Sequence, residues 1–196
     1  MTGQHPSSRR QVLIAGVGAL AALAMPTTVR AQDIQFDLRG DGPVRHNLSS
    51  FSAQRWQDHF EVLDRVTIVA DTVSRALHYW SADGSDYRIY PTSVPRTEDL
   101  TKRGYTKVVR KRIGPDWTPT QSMLKEDPTL KYMPPGPGNP LGTHAMYLDW
   151  PAYLIHGTHD TRKIGRRSSS GCIGLFNEKI AELYELTPVG AQVRLV

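Results

Sequence analysis

The chain has 196 residues, with 24 Lys and Arg against 19 Asp and Glu, a formal net charge of +5 and a single cysteine. One cysteine excludes a disulfide framework and a cysteine-rich zinc cluster, and 39% hydrophobic residues with nearly balanced charges exclude bulk disorder. The composition is that of a soluble chain with one folded domain.

The first 31 residues have the layout of an export signal. Arg9 and Arg10 precede an uncharged run of small and apolar side chains over residues 12–25, as in a positively charged region followed by a hydrophobic one. This run ends at Pro26, short of the about 20 mainly apolar residues that a membrane-spanning helix needs. The paired arginines resemble a twin-arginine export motif, and we predict cleavage after Ala31, followed by a periplasmic location.

Removal of residues 1–31 lowers the positive charge of the chain. It leaves 21 Lys and Arg against 19 acidic residues, a net charge of +2. The basic character of the chain therefore comes largely from the signal, and we expect no nucleic-acid partner and no membrane contact after cleavage.

Residues 32–65 predict an N-terminal extension with a short helix. The helix is expected over residues 53–64, where Trp56, Phe60 and Leu63 fall on one face. From residue 66 the apolar side chains follow period two, which predicts strands joined as a β-meander. These strands are expected at residues 66–70, 76–80 and 86–90.

A further strand is predicted over residues 105–113, with its charged side chains on the exposed face. Residues 114–143 are rich in proline and glycine, which forbids a long helix and disfavours pairing in the middle of a sheet.

The last third of the chain predicts a hairpin, a helix and a closing strand. The hairpin joins two short apolar segments, residues 145–148 and 152–155. Asn177 is predicted to cap a helix that ends at Leu186, and residues 192–196 form the closing strand.

His156 and Cys172 are the candidate chemical groups. His156 ends an apolar segment, and Cys172 follows 16 residues later in a turn of small residues that includes Gly171. A thiol becomes a nucleophile when an imidazole or aligned backbone N–H groups stabilise its thiolate. From these residues alone the cysteine can also be an inert buried side chain or an intermolecular link.

A zinc site built from His144, His156 and His159 is the alternative reading of the histidines. No carboxylate signature accompanies them, so we expect no metal and no other cofactor.

The sequence motifs around His156 and Cys172 resemble those of a known family. The stretch from Trp117 to the C-terminus resembles the L,D-transpeptidase catalytic domain of the YkuD type, in the branch common in Gram-negative bacteria. The matching segments are Trp117-Thr118-Pro119-Thr120, Pro134-Pro135-Gly136-Pro137-Gly138-Asn139-Pro140-Leu141-Gly142, Ile155-His156-Gly157-Thr158, Ile164-Gly165, Ser169-Ser170-Gly171-Cys172-Ile173, Leu183-Tyr184 and Gly190-Ala191-Gln192-Val193.

The resemblance implies a fold and a reaction. The fold is mainly β, a sandwich or folded sheet with a short helix near the C-terminus, and the catalytic domain covers residues 66–196. In the family, the residue matching Cys172 attacks a donor stem peptide of peptidoglycan, and the residue matching His156 acts as the base. The Gly157 carbonyl is then expected to orient the imidazole, and N–H groups near Gly171 to hold the oxyanion.

Two residues depart from the family pattern. Ser170 stands where His is frequent, and Gly174 stands where the common pattern has Arg, whose guanidinium can grip a substrate carboxylate. We therefore hypothesise altered donor recognition: either a nearby cation replaces the missing charge, or a different stem bond is used, such as one at L-Ala. The candidate cations are Arg162, Lys163, Arg166 and Arg167.

Four further residues complete the predicted substrate-binding set. Ser169 and Ser170 lie beside the cysteine, and Tyr132 and Tyr147 line the cleft or fill the core. Peptidoglycan stem peptides are the expected donor and acceptor, with a diaminopimelate amine as the acceptor group. The alternatives are an L,D-carboxypeptidase, an enzyme that attaches proteins to the wall, and a catalytically weak peptidoglycan-binding module.

Overall fold

The computed structural model of the protein describes residues 53–196. The predicted export signal and the first part of the extension, residues 32–52, lie outside the described residues. Over residues 53–196 no helix is long and apolar enough to cross a membrane.

The described part of the chain is mainly β, as predicted. Eight strands form one curled sheet, and two short strands pair separately. The elements are β1 (Thr67–Asp71), β2 (Ala76–Trp80), β3 (Tyr87–Pro91), β4 (Val94–Pro95), β5 (Gly104–Ile113), α1 (Gln121–Glu126), β6 (His144–Leu148), β7 (Leu154–His156), β8 (Arg167–Ser169), β9 (Ile173–Gly174), α2 (Asn177–Leu186) and β10 (Gln192–Leu195).

The order across the large sheet is β3-β2-β1-β10-β5-β6-β7-β9. Its neighbours are antiparallel except for two parallel pairs, β1 with β10 and β7 with β9. The separate pair, β4 with β8, is also parallel. The C-terminal strand β10 therefore lies inside the sheet, between β1 and β5, while β9 forms one edge.

One hydrophobic core holds the sheet and α2 together. Ile180 and Leu183 of α2 are fully buried, and they pack with side chains from both halves of the sheet. Burial of this apolar surface is the main force that stabilises the fold. The strand residues of this core include Ile68, Ala70, Leu77, Tyr79, Val108, Met146, Leu148, Ile155, Ile173, Val193 and Leu195.

The β-meander, the strand near residues 105–113, the hairpin, the helix that ends at Leu186 and the closing strand are confirmed, with shifts of one or two residues at some ends. The proline-rich segment holds one short helix that the sequence reading missed, α1. Its signal is Thr120, whose side chain accepts a hydrogen bond from the backbone N–H of Met123 and so caps the first turn.

The predicted helix over residues 53–64 is wrong. Only Trp56–Asp58 is helical, as a single 3-10 turn with no buried side chain. The backbone carbonyl of His59 instead accepts hydrogen bonds from Tyr105 and Arg194. A helix would use that carbonyl for its own ladder, so tertiary contacts replace the helical pattern.

Asn177 is also not the cap of α2. The helix begins at Asn177, Phe176 occupies the capping position, and no side chain caps the helix. The Asn177 Oδ1 atom accepts a hydrogen bond from the backbone N–H of Thr143 at 3.1 Å. The side chain thus ties α2 to the start of β6.

Candidate active site

Strand register places His156 and Cys172 on one face of the sheet. His156 pairs with Gly174 across the parallel β7 and β9, and Cys172 directly precedes β9. Side chains two residues apart on a strand share a face, so the thiol and the imidazole lie on the same side. Ala145 supports this placement, because it pairs with His156 and belongs to the small apolar cluster against which Cys172 packs.

The His156 ring is buried and held in one tautomer. Its Nδ1 atom hydrogen-bonds the Gly157 carbonyl, and a carbonyl oxygen only accepts, so Nδ1 carries the proton and Nε2 keeps its lone pair. Burial lowers the pKa of His156 to about 4, although the bond to Gly157 acts in the opposite direction. At neutral pH the imidazole is uncharged and able to take a proton.

Gly157 is required by close packing behind the histidine. A Cβ atom at this position would lie 2.3 Å from Asn177 Oδ1 and 3.1 Å from Ile180. The Gly157 N–H also donates to the His144 carbonyl at 3.0 Å. The residue that orients the imidazole is thus itself fixed between β6 and α2.

The Cys172 thiol is protonated in the resting state. Its Sγ atom donates to the Ala152 carbonyl at 3.4 Å, and no hydrogen bond joins it to His156 among the described residues. Burial raises the pKa of Cys172 to about 11, while a hydrogen bond from the Leu154 backbone acts to lower it. The two groups therefore form an uncharged thiol and imidazole pair, in which attack requires proton transfer.

Small polar residues shape the turn before the cysteine. Ser169 Oγ donates to the Cys172 carbonyl at 2.5 Å and accepts a long hydrogen bond, 3.4 Å, from the N–H of Gly171. Gly171 has a φ of 131°, and a Cβ there would lie 3.3 Å from the Tyr153 ring. A left-handed backbone and a nearby ring thus both favour glycine beside Cys172.

A cation that the sequence reading missed contacts the same turn. Arg96 follows β4; its backbone N–H donates to the Ser169 carbonyl at 2.9 Å, and its Nη1 donates to Ser170 Oγ at 2.9 Å. Its Nη2 forms an ion pair with Glu126 at the end of α1. No local motif marks Arg96, because the pairing of β4 with β8 brings it there.

The departure at Gly174 has a structural cause. Gly174 is buried, and its N–H and carbonyl both bond to the backbone of Ser93. A Cβ at position 174 would lie 2.4 Å from Ser93 Oγ. Ser93 therefore occupies the space in which a side chain from β9 would begin.

The two predicted tyrosines have different surroundings. Tyr147 packs against the same small cluster as Cys172, and the guanidinium of Arg110 lies 3.6 Å above its ring. Tyr132 is 57% exposed. Its neighbour Met133 forms a β-bridge with Trp117, which also packs against the cluster, so Tyr132 lies on the loop beside the site.

The four predicted cations have different surroundings. Arg167, at the start of β8, forms an ion pair with Glu98, and Arg162 with Asp160. The charge of Lys163 contributes to the low pKa of His156. Arg166 is exposed, and its backbone bonds to Val94 and Lys163.

Asn139 organises the proline-rich loop beside the site. It is 1% exposed, and its Nδ2 donates to the carbonyls of Pro115, Met133 and Pro134, while its Oδ1 accepts from Leu141 N–H. An Asn among prolines was the available signal, since its amide can replace the backbone donors that proline lacks.

Within residues 53–196 no group of three or more His, Cys, Asp or Glu side chains is placed to hold a metal ion.

Comparison with known proteins identifies the family. The model of the L,D-transpeptidase catalytic domain, the YkuD family, matches residues 65–195. This chain belongs to the L,D-transpeptidase catalytic domain family. It is 57% identical over 189 residues, 96% of this chain and 97% of the relative, to a protein named as an L,D-transpeptidase in the ATP synthase subunits region of Fuscovulum blasticum.

Other L,D-transpeptidase relatives are longer. YbiS of Escherichia coli K12, named as an L,D-transpeptidase, is 36% identical over 135 residues, which cover 66% of this chain and 44% of YbiS. ErfK/SrfK of the same strain is 34% identical over 67% of this chain and 44% of its own length. This chain therefore spans less than half of these E. coli relatives.

Solved structures share the fold. An L,D-transpeptidase from Mycobacterium smegmatis aligns with a TM-score of 0.54 and 20% identity, over 67% of this chain and 58% of that one. The LD transpeptidase LdtMt1 in complex with imipenem aligns with a TM-score of 0.54 and 16% identity, over 68% and 59%. At these identities the likeness establishes the L,D-transpeptidase fold.

Proposed function

We propose that the protein is an exported cysteine L,D-transpeptidase that cross-links peptidoglycan stem peptides. The observation that carries the proposal is the shared sheet face of Cys172 and His156, with Nδ1 of the imidazole tied to Gly157 and Nε2 open to accept a proton. Membership of the L,D-transpeptidase family supports the substrate class. The signal-like residues 1–31 support export to the periplasm by the twin-arginine route.

The first half-reaction forms a thioester. As the donor stem peptide binds, His156 Nε2 takes the thiol proton of Cys172, and the sulfur attacks the donor carbonyl. The C–S bond forms and the C–N bond of the scissile amide breaks. The proton on His156 passes to the leaving amine, which departs with the terminal residue of the donor. N–H groups near Gly171 hold the oxyanion.

The second half-reaction transfers the acyl group. A diaminopimelate amine of the acceptor stem gives a proton to His156 and attacks the thioester carbonyl. The new C–N bond forms, the C–S bond breaks, and the proton returns to the sulfur. Because the resting pair is uncharged, with a pKa of about 4 for His156 and about 11 for Cys172, the enzyme begins and ends the cycle as thiol and neutral imidazole.

Donor recognition differs from that of relatives with Arg at the position of Gly174. The Ser93 hydroxyl fills that space, so the carboxylate-gripping charge comes from elsewhere or the donor bond is another one, such as that at L-Ala. Ser169, Ser170, Tyr132, Tyr147, Arg166 and Arg167 complete the proposed substrate-binding set.

The test is mass spectrometry of defined muropeptides incubated with the mature protein and with Cys172→Ala. We expect cross-linked dimers that form only with the unaltered cysteine, and fragmentation then locates the bond. Shortened monomers without dimers would show that the protein is a carboxypeptidase and not a transpeptidase. If the muropeptides stay unchanged while the folded protein binds sacculi, the protein is a wall-binding module and not an enzyme.

A further inference from the structure

Arg96 is the cation that directly contacts the nucleophile turn among the described residues. Its backbone N–H and its guanidinium bond to Ser169 and Ser170, which lie three and two residues before Cys172. These two hydrogen bonds hold the backbone and the guanidinium of Arg96 against the turn. The guanidinium is therefore held beside the turn that precedes Cys172.

The position of Arg96 is linked to the absence of a side chain at Gly174. Ser93 lies three residues before Arg96, and it both pairs with Gly174 and fills the space beside it. The same short segment that excludes a side chain at position 174 thus brings a guanidinium to the turn.

The guanidinium already holds a carboxylate. Glu126 pairs with Arg96 Nη2, and both side chains are partly open to solvent, with 58% of the glutamate and 37% of the arginine exposed. Exposed ion pairs of this kind add little stability, so a better-placed carboxylate can displace Glu126. Arg is suited to such exchange because its planar fork presents several donors.

We propose that Arg96 binds the C-terminal carboxylate of the donor stem peptide, and that Glu126 occupies this position in the free enzyme and is displaced by the donor. This inference rests on the function proposed above and names the specificity residue of the same site. Arg96 orients the donor and takes no part in proton transfer.

The experiment compares two donors in acyl-enzyme formation, measured by rapid-quench mass spectrometry. One donor is a tetrapeptide stem with a free C-terminal carboxylate, and the other is the same peptide as its C-terminal amide. The variants are Arg96→Gln and Glu126→Gln, with Arg65→Gln as the matched control because Arg65 forms an exposed ion pair with its neighbour Asp64. Alkylation of Cys172 by iodoacetamide, a neutral reagent, reports whether the turn is intact.

Arg96→Gln is expected to raise KM for the free-carboxylate donor about tenfold, the loss of one charge-assisted hydrogen bond, with little change for the amide. Glu126→Gln is expected to lower KM for the free-carboxylate donor and leave the amide unchanged. If the Arg96–Glu126 pair only supports the structure of the turn, both variants are expected to bind both donors more weakly and to change the rate of Cys172 alkylation.

Several results would overturn the assignment. Equal use of the two donors by the unaltered enzyme means that no terminal carboxylate is bound. Loss of discrimination in an Arg166→Gln and Arg167→Gln double variant, but not in Arg96→Gln, assigns the contact to those residues. No acyl-enzyme from either donor in the unaltered protein contradicts the proposed function itself, which separates that failure from failure of the Arg96 inference.

Discussion

The two ends of the sheet are built differently. The meander end, β1 to β3, has strands of five residues, and every side chain of β2 is buried. The catalytic end has short strands, β7 with three residues and β9 with two, and it depends on bonds from Ser93, Ser169 and Arg96. Buried apolar side chains stabilise both ends, because β7 and β9 are also buried, but the catalytic end depends in addition on hydrogen bonds and on close packing around glycines.

The largest expected effect separates chemistry from stability at the catalytic end. His156→Gln removes the group that accepts the thiol proton, so we expect the acylation rate to fall by a factor of about 10²–10⁴. The melting temperature should change little, because the buried imidazole is neutral and Gln is of similar size. Stopped-flow acylation and thermal unfolding measure the two effects.

The matched control for that variant is His159→Gln, since His159 is an exposed residue three positions further on. It should retain the acylation rate. Comparable losses in the two variants would contradict the role given to His156.

At the meander end the reverse result is expected. Leu77 is fully buried in β2, so Leu77→Ala should lower the free energy of unfolding by about 2–5 kcal/mol through lost contacts and a cavity. Acylation per folded molecule should stay unchanged, because four strands of the sheet lie between β2 and β7. Chemical denaturation measures the first, and active-site titration the second; a folded but inactive variant would show that the two ends are coupled.

Gly174→Ala tests packing at the catalytic end. The added Cβ would lie 2.4 Å from Ser93 Oγ, so we expect a loss of about 1–3 kcal/mol in the free energy of unfolding. Adding Ser93→Ala removes the clashing hydroxyl and should restore most of that loss, as a double-mutant cycle would measure. Full additivity of the two changes would mean that Ser93 is not what excludes a side chain there.

A smaller effect is expected from pH, and it involves both ends. Burial lowers the pKa of His78 in β2 and of His156 to about 4 each, against about 6.5 in the unfolded chain. Between pH 6.5 and 4 the unfolded chain binds more protons, so stability is full above pH 6.5 and declines as pH falls towards 4. Thermal unfolding across this range measures the decline.

His78→Phe should make that decline shallower, because one of the two buried imidazoles is removed. Phe keeps a flat ring beside Trp80 and Tyr87, whose ring centroids each lie 6.0 Å from that of His78. An unchanged slope in the variant would show that His78 does not contribute to it.

What the sequence could predict follows the same division. The meander, the hairpin and α2 were predicted because their side-chain periods report burial within a few consecutive residues. His156, Cys172 and Gly157 were predicted as site residues from their motifs. Arg96 and Ser93 were not, because β4 has only two residues and its partner β8 is the polar segment Arg167–Ser169, so nothing local indicates their pairing.

The errors have the same origin. The helical spacing near Trp56 does not give a helix, because side chains of β5 and β10 bind the His59 carbonyl. Asn177 does not cap α2, because its side chain binds the backbone of Thr143. Each involves a hydrogen bond between residues at least 34 positions apart, which no local pattern encodes.

The most direct test of the central claim is intact-protein mass spectrometry after addition of imipenem, with the mature protein and Cys172→Ala compared under the same conditions. The account predicts a single covalent adduct on the unaltered protein, located at Cys172, and none on the variant. An adduct on Cys172→Ala, or no adduct on the folded unaltered protein, would contradict Cys172 as the nucleophile.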